Sequence, residues 1–237
     1  LILLQSLGVR IGIVSGSDFD YIIEQCGILT DINEFDYTNI DFYPCNGTKH
    51  YKLTRSFQKT VVYENFMDKA IGKTLFNKVI YNLARIQSEL QHESWSSDLP
   101  LTGNFIQYRG SMINYCPIGR NANTSQRKSW LELDKKHRIR KNIFAKYFAS
   151  KCFDGLTVKF GGETSFDIYP DGWDKTFVLK NFGETDKIWF VGDKCEGTGN
   201  DKEIYDIISK QGRGFKTSSP AKTAKIIDSQ IIKTIKG

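Results

Sequence analysis

Apolar residues follow two rhythms along this chain, and the switches between them divide it. Leu1, Leu3, Leu4 and Leu7 fall at helical spacing, and Gly8 ends the run. Val9 to Val14 predicts a buried strand, and Phe19, Ile22, Ile23 and Cys26 predict a helix closed by Gly27. Residues 28–62 read as short strands and loops, with Asn46-Gly47 a strong turn signal. From Glu64 the pattern turns helical, and Leu75, Phe76, Val79, Ile80, Leu83, Ile86 and Leu90 trace one apolar stripe expected in a core. After a polar break at 94–101, Asn104–Arg109 and Met112–Pro117 predict a hairpin joined through Gly110-Ser111. Thr124 or Ser125 is expected to cap a long helix carrying Trp130, Leu131, Ile143, Phe144, Tyr147 and Phe148.

Two more strands follow at Leu156–Phe160 and Ser165–Tyr169, ended by the Pro170-Asp171-Gly172 turn. Asp174 then offers a helix N-cap. Strand and helix alternate again through Ile188–Asp193, Glu203–Ile208 and a strand near Phe215. Ser219 caps a final helix starting at Pro220, with Ala224, Ile227, Ile231 and Ile235 turned inward. The block at 67–173, antiparallel strands plus helices, interrupts a strand–helix alternation at 1–66 and 174–237. An α+β cap inserted into an α/β core explains that change.

Composition narrows the picture only a little. With 237 residues, 40% of them hydrophobic, the chain has ample core and is globular rather than disordered. A net charge of +6 suits an anionic small substrate without demanding one. The basic run Lys135-Lys136-His137-Arg138 lies in a helical pattern, as a solvated face does, so no nucleic-acid partner is expected. Cys26, Cys45, Cys116, Cys152 and Cys195 are scattered and odd in number, without metal-ligand spacing, which predicts reduced thiols in a cytoplasmic protein. No apolar run has the length of a membrane span.

The chemistry concentrates in a few stretches. A strand presenting Ser165 and Asp167 on one face, followed by a fixed Lys175, suits a sugar phosphate: hydroxyl and carboxylate bond sugar oxygens, and the ammonium neutralises a phosphoryl group. A strand–turn–helix with solvated polar tips accounts for the same residues. Asp193 ends an apolar strand and is followed by a Gly-rich loop with Asn200 and Asp201, a usual Mg²⁺ position in phosphoryl-transfer enzymes. Ser15-Gly16-Ser17 joins a strand to a helix N-terminus, where unpaired amides make an anion site or, equally, a capping turn. Arg109, Arg120 and Arg127 stand at loop mouths, where guanidinium groups can converge on phosphate; read alone, they are surface residues.

The words IGIVSGSDFD, YRGSMINYCPIGR, Ser125-Gln126-Arg127, LELDKKHRIR, GGETSFDIYPDGWDK and VGDKCEGTGNDKEI together resemble eukaryotic-type phosphomannomutases of the haloacid dehalogenase superfamily, in order and at nearly that family's spacing. The resemblance implies a Rossmann-like core at 1–66 and 174–237 and a substrate-binding cap at 67–173. It implies that Arg109, Arg120 and Arg127 clamp phosphate, that Ser165 and Asp167 complete the cap site, and that Ser15, Gly16 and Ser17 form the second phosphate motif. Lys175 then screens a phosphoaspartate, and Asp193 holds Mg²⁺, with Asn200, Asp201 and Tyr205 as further candidate ligands. A hexose 1,6-bisphosphate activates such enzymes, and mannose phosphates, with glucose phosphates a further possibility, are interconverted on the way to GDP-mannose. Homodimers form through the cap.

Three departures stand out. The family's Asp-x-Asp-Gly-Thr motif, which carries the nucleophile and the acid/base carboxylate, is absent from the chain. The expected missing piece is a strand, a loop and part of a helix, on the order of thirty residues. The chain as given is therefore expected to be inactive, with a non-catalytic sugar-phosphate-binding protein or a sugar-phosphate phosphatase as the alternatives. Cys45 stands where the family usually has Glu, and Ile207 where it usually has Asp.

Overall fold

The computed structural model describes residues 1–27 and 35–237; the part of the expected strand-and-loop region at 28–34 lies outside them. The chain divides into two compact units, Leu1–Glu64 with Trp173–Gly237, and Asn65–Gly172.

The first unit begins with α1 (Ile2–Ser6), ended through Gly8 at φ +72°. Strand β1 (Ile11–Val14) leads to α2 (Phe19–Cys26), which Asp18 caps by accepting from the Tyr21 amide at 3.0 Å. Three strands follow, β2 (Ile40–Tyr43), β3 (Lys49–Leu53) and β4 (Lys59–Glu64), in the order β1-β2-β3-β4. The β1–β2 pair is parallel and the other two are antiparallel. Val9–Val14 was expected to be buried, but β1 is shorter and only half-buried, because among the described residues it pairs with β2 alone. Phe19, Ile22, Ile40, Phe42, Tyr51 and Leu53 pack on one face of this sheet.

The period of two in β2 sends Asp41 and Tyr43 to the opposite face. There Asp41, 3% exposed, accepts from Arg10 at 3.0 Å and bonds the His50 ring at 2.7 Å, with Lys52 at 3.4 Å. Burial alone would raise the Asp41 carboxyl; the His50 bond and the Lys52 and Arg10 charges outweigh it and hold it down to about 2. A carboxylate depressed in this way stabilises the fold above its ordinary value of 3.8, and the contribution disappears as pH falls from 3.8 towards about 2. Arg10 and Lys52 are half exposed, so solvent screening reduces the contribution to about 1–2 kcal/mol. Asp41→Asn should lose that much at pH 7 in urea unfolding, and the deficit should shrink below pH 3.

In the second unit, α3 (Met67–Ile71) and α4 (Lys73–Glu89) come first. The apolar stripe of α4 is inside as expected: Val79, Leu83 and Ile86 are 0% exposed, with Leu90 close behind. Strands β5 (Ile106–Tyr108) and β6 (Ile113–Tyr115) form the hairpin. The next helix, α5 (Thr124–His137), is capped by Asn123 rather than by Thr124 or Ser125: the Asn123 side chain accepts from the Gln126 amide and the Gln126 side chain bonds back, a capping box. The long helix expected through Phe148 is broken. Arg138 turns left-handed at φ +54°, and Asp134 accepts from the Arg140 amide at 2.8 Å, opening a second helix, α6 (Ile139–Ile143).

Strands β7 (Leu156–Gly161) and β8 (Ser165–Pro170) complete an antiparallel sheet in the order β5-β6-β8-β7. Its alternation is clean. Ile113, Tyr115, Phe166 and Ile168 are buried on the apolar face, where Phe166 meets Tyr115, Phe148 and Phe160. Asn114, Ser165, Asp167 and Lys159 are left to the other face.

The chain then returns to the first unit. The parallel pair β9 (Phe190–Gly192) and β10 (Gly214–Lys216) flanks α7 (Lys202–Ser209), and α8 (Pro220–Ile226), capped by Ser219, runs on to α9 (Lys233–Lys236). Strand β9 is half the expected Ile188–Asp193 length, because only three residues find a partner on β10. Ala224, expected to face inward, is exposed; a wide-turned stretch at Ile227–Ile232 shifts the phase, so Ile231 and Ile232 are the buried pair.

Candidate active site

The second unit holds five of the expected site residues: Ser165 and Asp167 on the polar face of its sheet, Arg109 and Arg120 close enough to sense the Asp167 charge, and Arg127 beside Arg120. Arg109 stands at the β5–β6 turn, where its amide closes the hairpin by donating to Met112 O at 2.8 Å, and its Nε donates to Gln107 at 3.3 Å. Arg120 follows the Pro117–Gly119 turn. Gly119 (φ +86°) passes so close to Gly103 that a Cβ would meet its carbonyl oxygen at 2.1 Å, so only glycine makes this turn. Arg127 sits in the first turn of α5, its guanidinium donating to Ala122 O at 2.9 Å and to Arg120 O at 3.1 Å, which holds it against the Arg120 loop.

These charges sense one another. Burial depresses the Arg120 guanidinium, the positive charges of Arg109 and Arg127 depress it further, and Asp167 opposes them. Burial likewise raises the Asp167 carboxyl, against an Asn114 hydrogen bond and the charges of Arg109 and Arg120. Among the described residues, Asp167 is the carboxylate that opposes this crowding at Arg120, and such a positive cluster suits an incoming anion.

Ser165, 1% exposed, donates to Gly161 O at 2.6 Å. Gly161 is required there, because a Cβ would lie 2.8 Å from Ser165 Oγ and 2.9 Å from the Asp167 carboxyl carbon. Asn114, in mid-strand on β6, donates to Ser165 Oγ at 2.9 Å and to Asp167 Oδ1 at 2.7 Å. Nothing in the sequence had singled it out: a polar residue between Ile113 and Tyr115 reads as the ordinary polar face of a strand.

In the first unit a second cluster forms at the ends of β1 and β9. The Ser15 hydroxyl oxygen accepts from the Ser17 amide at 3.1 Å, and a Cβ on Gly16 would meet Asn46 Oδ1 at 3.3 Å and Asn200 Nδ2 at 3.4 Å. The loop at 45–47 holds this turn by backbone bonds, Cys45 N to Ser17 O and Asn46 N to Ser15 O. Cys45 and Asn46 are both at positive φ, and Cys45 is 1% exposed, so its thiol lies inside. Asp174 caps the turn that begins at Lys175 by accepting from the Thr176 amide at 2.8 Å.

Lys175 and Asp201 form a buried ion pair at 2.5 Å, 8% and 2% exposed. The other Asp201 oxygen accepts from the Asp193 and Lys194 amides at 3.1 and 3.0 Å. Burial pushes the Asp201 carboxyl up, but Lys175 and the two amides hold it below the ordinary range. Both of its oxygens are thus occupied by protein donors. The Asp193 side chain is by contrast 61% exposed, with Lys194 3.9 Å away. Tyr205 lies in the first turn of α7, its amide donating to Asp201 O, with Lys216 Nζ 5.0 Å from the centre of its ring. Among the described residues, no three His, Cys, Asp or Glu side chains group as metal ligands. The exposed Asp193 carboxylate is a donor of the kind Mg²⁺ takes, an ion that usually binds one or two carboxylates together with water and phosphate oxygens.

The family model for eukaryotic phosphomannomutase matches residues 3–233. The chain belongs to that family. It is 36% identical over 221 residues to the phosphomannomutase of Saccharomyces cerevisiae, covering 92% of this chain and 79% of the yeast protein. The enzyme of Encephalitozoon cuniculi is 34% identical over 233 residues, covering 95% and 82% of the two chains. Among solved structures, the N-terminally truncated IMP-nucleotidase of Plasmodium falciparum superposes with a TM-score of 0.54 at 15% identity, over 96% of this chain and 63% of that one. That likeness is one of fold, a mixed α/β one. No helix among the described residues is long and apolar enough to cross a membrane.

Proposed function

We propose that this phosphomannomutase-family chain binds mannose phosphates and carries the substrate-holding residues for the interconversion of mannose 6-phosphate and mannose 1-phosphate, with a hexose 1,6-bisphosphate as activator, in cytoplasmic GDP-mannose synthesis; the Asp-x-Asp-Gly-Thr nucleophile motif is not among its residues, so binding rather than turnover is what residues 1–237 are expected to show. The observation that carries the proposal is the clustering of charge around Arg120 and Asp167, with Arg109 and Arg127 acting on Arg120, Arg109 and Arg120 acting on Asp167, and Ser165 joined to Asp167 through Asn114. The guanidinium groups take the phosphate that does not react, through paired charge-assisted bonds. Ser165 and Asp167 accept from sugar hydroxyls.

In the first unit, Ser15, Gly16 and Ser17 cradle the phosphate undergoing transfer, with backbone amides at the start of α2. Lys175, oriented by Asp201, supplies a fixed positive charge to the transferred group. Mg²⁺ would be held by Asp193, with Asn200 as a further candidate ligand, and would supply charge neutralisation at phosphoryl oxygens when bound. These residues act by positioning and by electrostatic stabilisation. We further propose that 67–173 acts as the cap, and that two copies pair through it.

Calorimetric titration of residues 1–237 with mannose 1-phosphate tests the site directly. Saturable heat is expected, competed more strongly by mannose 6-phosphate than by inorganic phosphate. Absence of saturable heat, or equal competition by phosphate alone, would overturn the proposal.

A further inference from the structure

The hydrogen bonds around Asn114 determine the polarity of its neighbours. Ser165 has one hydroxyl proton and donates it to Gly161 O at 2.6 Å. Its oxygen can therefore meet Asn114 only as an acceptor, and ionised Asp167 has only acceptors to offer. The Asn114 amide must then turn its nitrogen towards both, at 2.9 and 2.7 Å, which fixes the orientation of the side chain by chemistry. Both amide protons are used. Asn114 is 2% exposed, and its Oδ1 is buried without a partner among the described residues. Such an orphan ordinarily costs stability, so the residue is held here against the preference of the fold.

We propose that Asn114 is a positioning residue: with the Ser165 proton given to Gly161 O and Asp167 ionised, its two N–H bonds hold both groups as acceptors towards ligand, so that this end of the site selects hydroxyl donors and rejects fluorine, ether oxygen and a second anion. The inference rests on the sugar-phosphate reading of the site and adds its hydrogen-bond polarity. The division of labour is then chemical: the arginines offer only donors, and the Ser165–Asp167 end offers only acceptors. A ligand with a phosphate at one end and free hydroxyls at the other fits in one direction at a time.

Asp167 must be ionised to play this part. The groups facing it are Asn114 on β6, Lys159 directly opposite on β7, Arg109 at the hairpin turn and Arg120 in the loop beyond β6. Burial raises its carboxyl, and the Asn114 bond, then Arg109 and Arg120, work against that rise. Ligand binding should therefore weaken as pH falls through the raised value. Removing the Asn114 donor should move this acid limb to higher pH.

The test measures binding of mannose 1-phosphate and its 2-, 3- and 4-deoxyfluoro analogues to residues 1–237 and to Asn114→Leu, across pH 4–8. For the unmodified chain, at least one fluoro analogue should bind about tenfold more weakly, the loss of one hydrogen bond to a charged or buried acceptor. In Asn114→Leu that discrimination should fall to within about twofold, and the acid limb should move up in pH. Equal binding of every fluoro analogue by the unmodified chain overturns the inference, whether or not the variant folds. So does an Asn114→Leu protein with unchanged discrimination and pH limb. If mannose 1-phosphate itself does not bind, the sugar-phosphate reading fails and this inference falls with it.

Discussion

Replacing Lys175 by Met is expected to cost the first unit about 3–5 kcal/mol, the usual effect of removing one partner from a buried ion pair. Asp201 would be left 2% exposed with a negative charge and only the Asp193 and Lys194 amides to meet it. The pair joins the turn after Asp174 to the loop before α7, so its loss should also loosen the segment that presents Asp193. The pH dependence has a definite sign. Asp201 is held below its ordinary carboxylate value of 3.8 in the folded chain, so its stabilising contribution is present above that value and is lost as pH falls below it. Without Lys175 the carboxyl rises, and the variant should start to lose its deficit at a higher pH than the parent loses its advantage. Asp201→Asn, which keeps an acceptor for the two amides, should be the milder change. Urea unfolding of the three proteins at pH 7 and pH 4 checks all of this. A Lys175→Met midpoint equal to that of the parent would show that the pair contributes little.

What could be read from the sequence follows from the range of each interaction. The α4 stripe and the β7–β8 pair were legible because burial there is set by a short period, and nothing distant competes with it. Asp174 was legible as a cap because it stands alone at its boundary, and Ser219 because Pro220 marks the first helical position after it. At Asn123-Thr124-Ser125 three capping residues stand in a row, and the Gln126 side chain decides among them by closing the box on Asn123. The break at Arg138 carries no glycine or proline; it depends on Asp134, which reaches Arg140 both at the amide and at the guanidinium. The half-exposed β1 and the short β9 reflect how many partners a strand finds, which its own residues do not record. Lys175 could be singled out, but its partner Asp201 lies 26 positions away and resembled a further metal ligand. Asn114 was hidden for a different reason. Its pattern is that of any strand, and its significance appears only when β8 lies beside β6 and brings Ser165 and Asp167 to its amide.

Arg120→Ala should weaken mannose 1-phosphate binding by about 100-fold, roughly 2.7 kcal/mol, within the range of one to two charge-assisted hydrogen bonds. Arg120 is chosen because its charge is shaped by every other member of the group: Arg109 and Arg127 depress its guanidinium, and Asp167 raises it. Arg120→Lys should recover only part of the loss, because an ammonium cannot form the planar paired contact. The same crowding predicts an opposite effect on the unliganded protein. A base depressed by its surroundings is charged at neutral pH against the preference of the fold, so the unfavourable term is fully present there. Arg120→Ala should then unfold at the same temperature as the parent or slightly higher without ligand, and should lose most of the rise that mannose 1-phosphate produces in the parent. Added salt should reduce that rise in the parent, because screening weakens contacts between exposed charges and phosphate. Thermal unfolding with and without ligand, at two salt concentrations, separates this outcome from simple misfolding, which would lower the unliganded midpoint as well. A variant that binds as tightly as the parent would remove the arginine cluster from the proposed site.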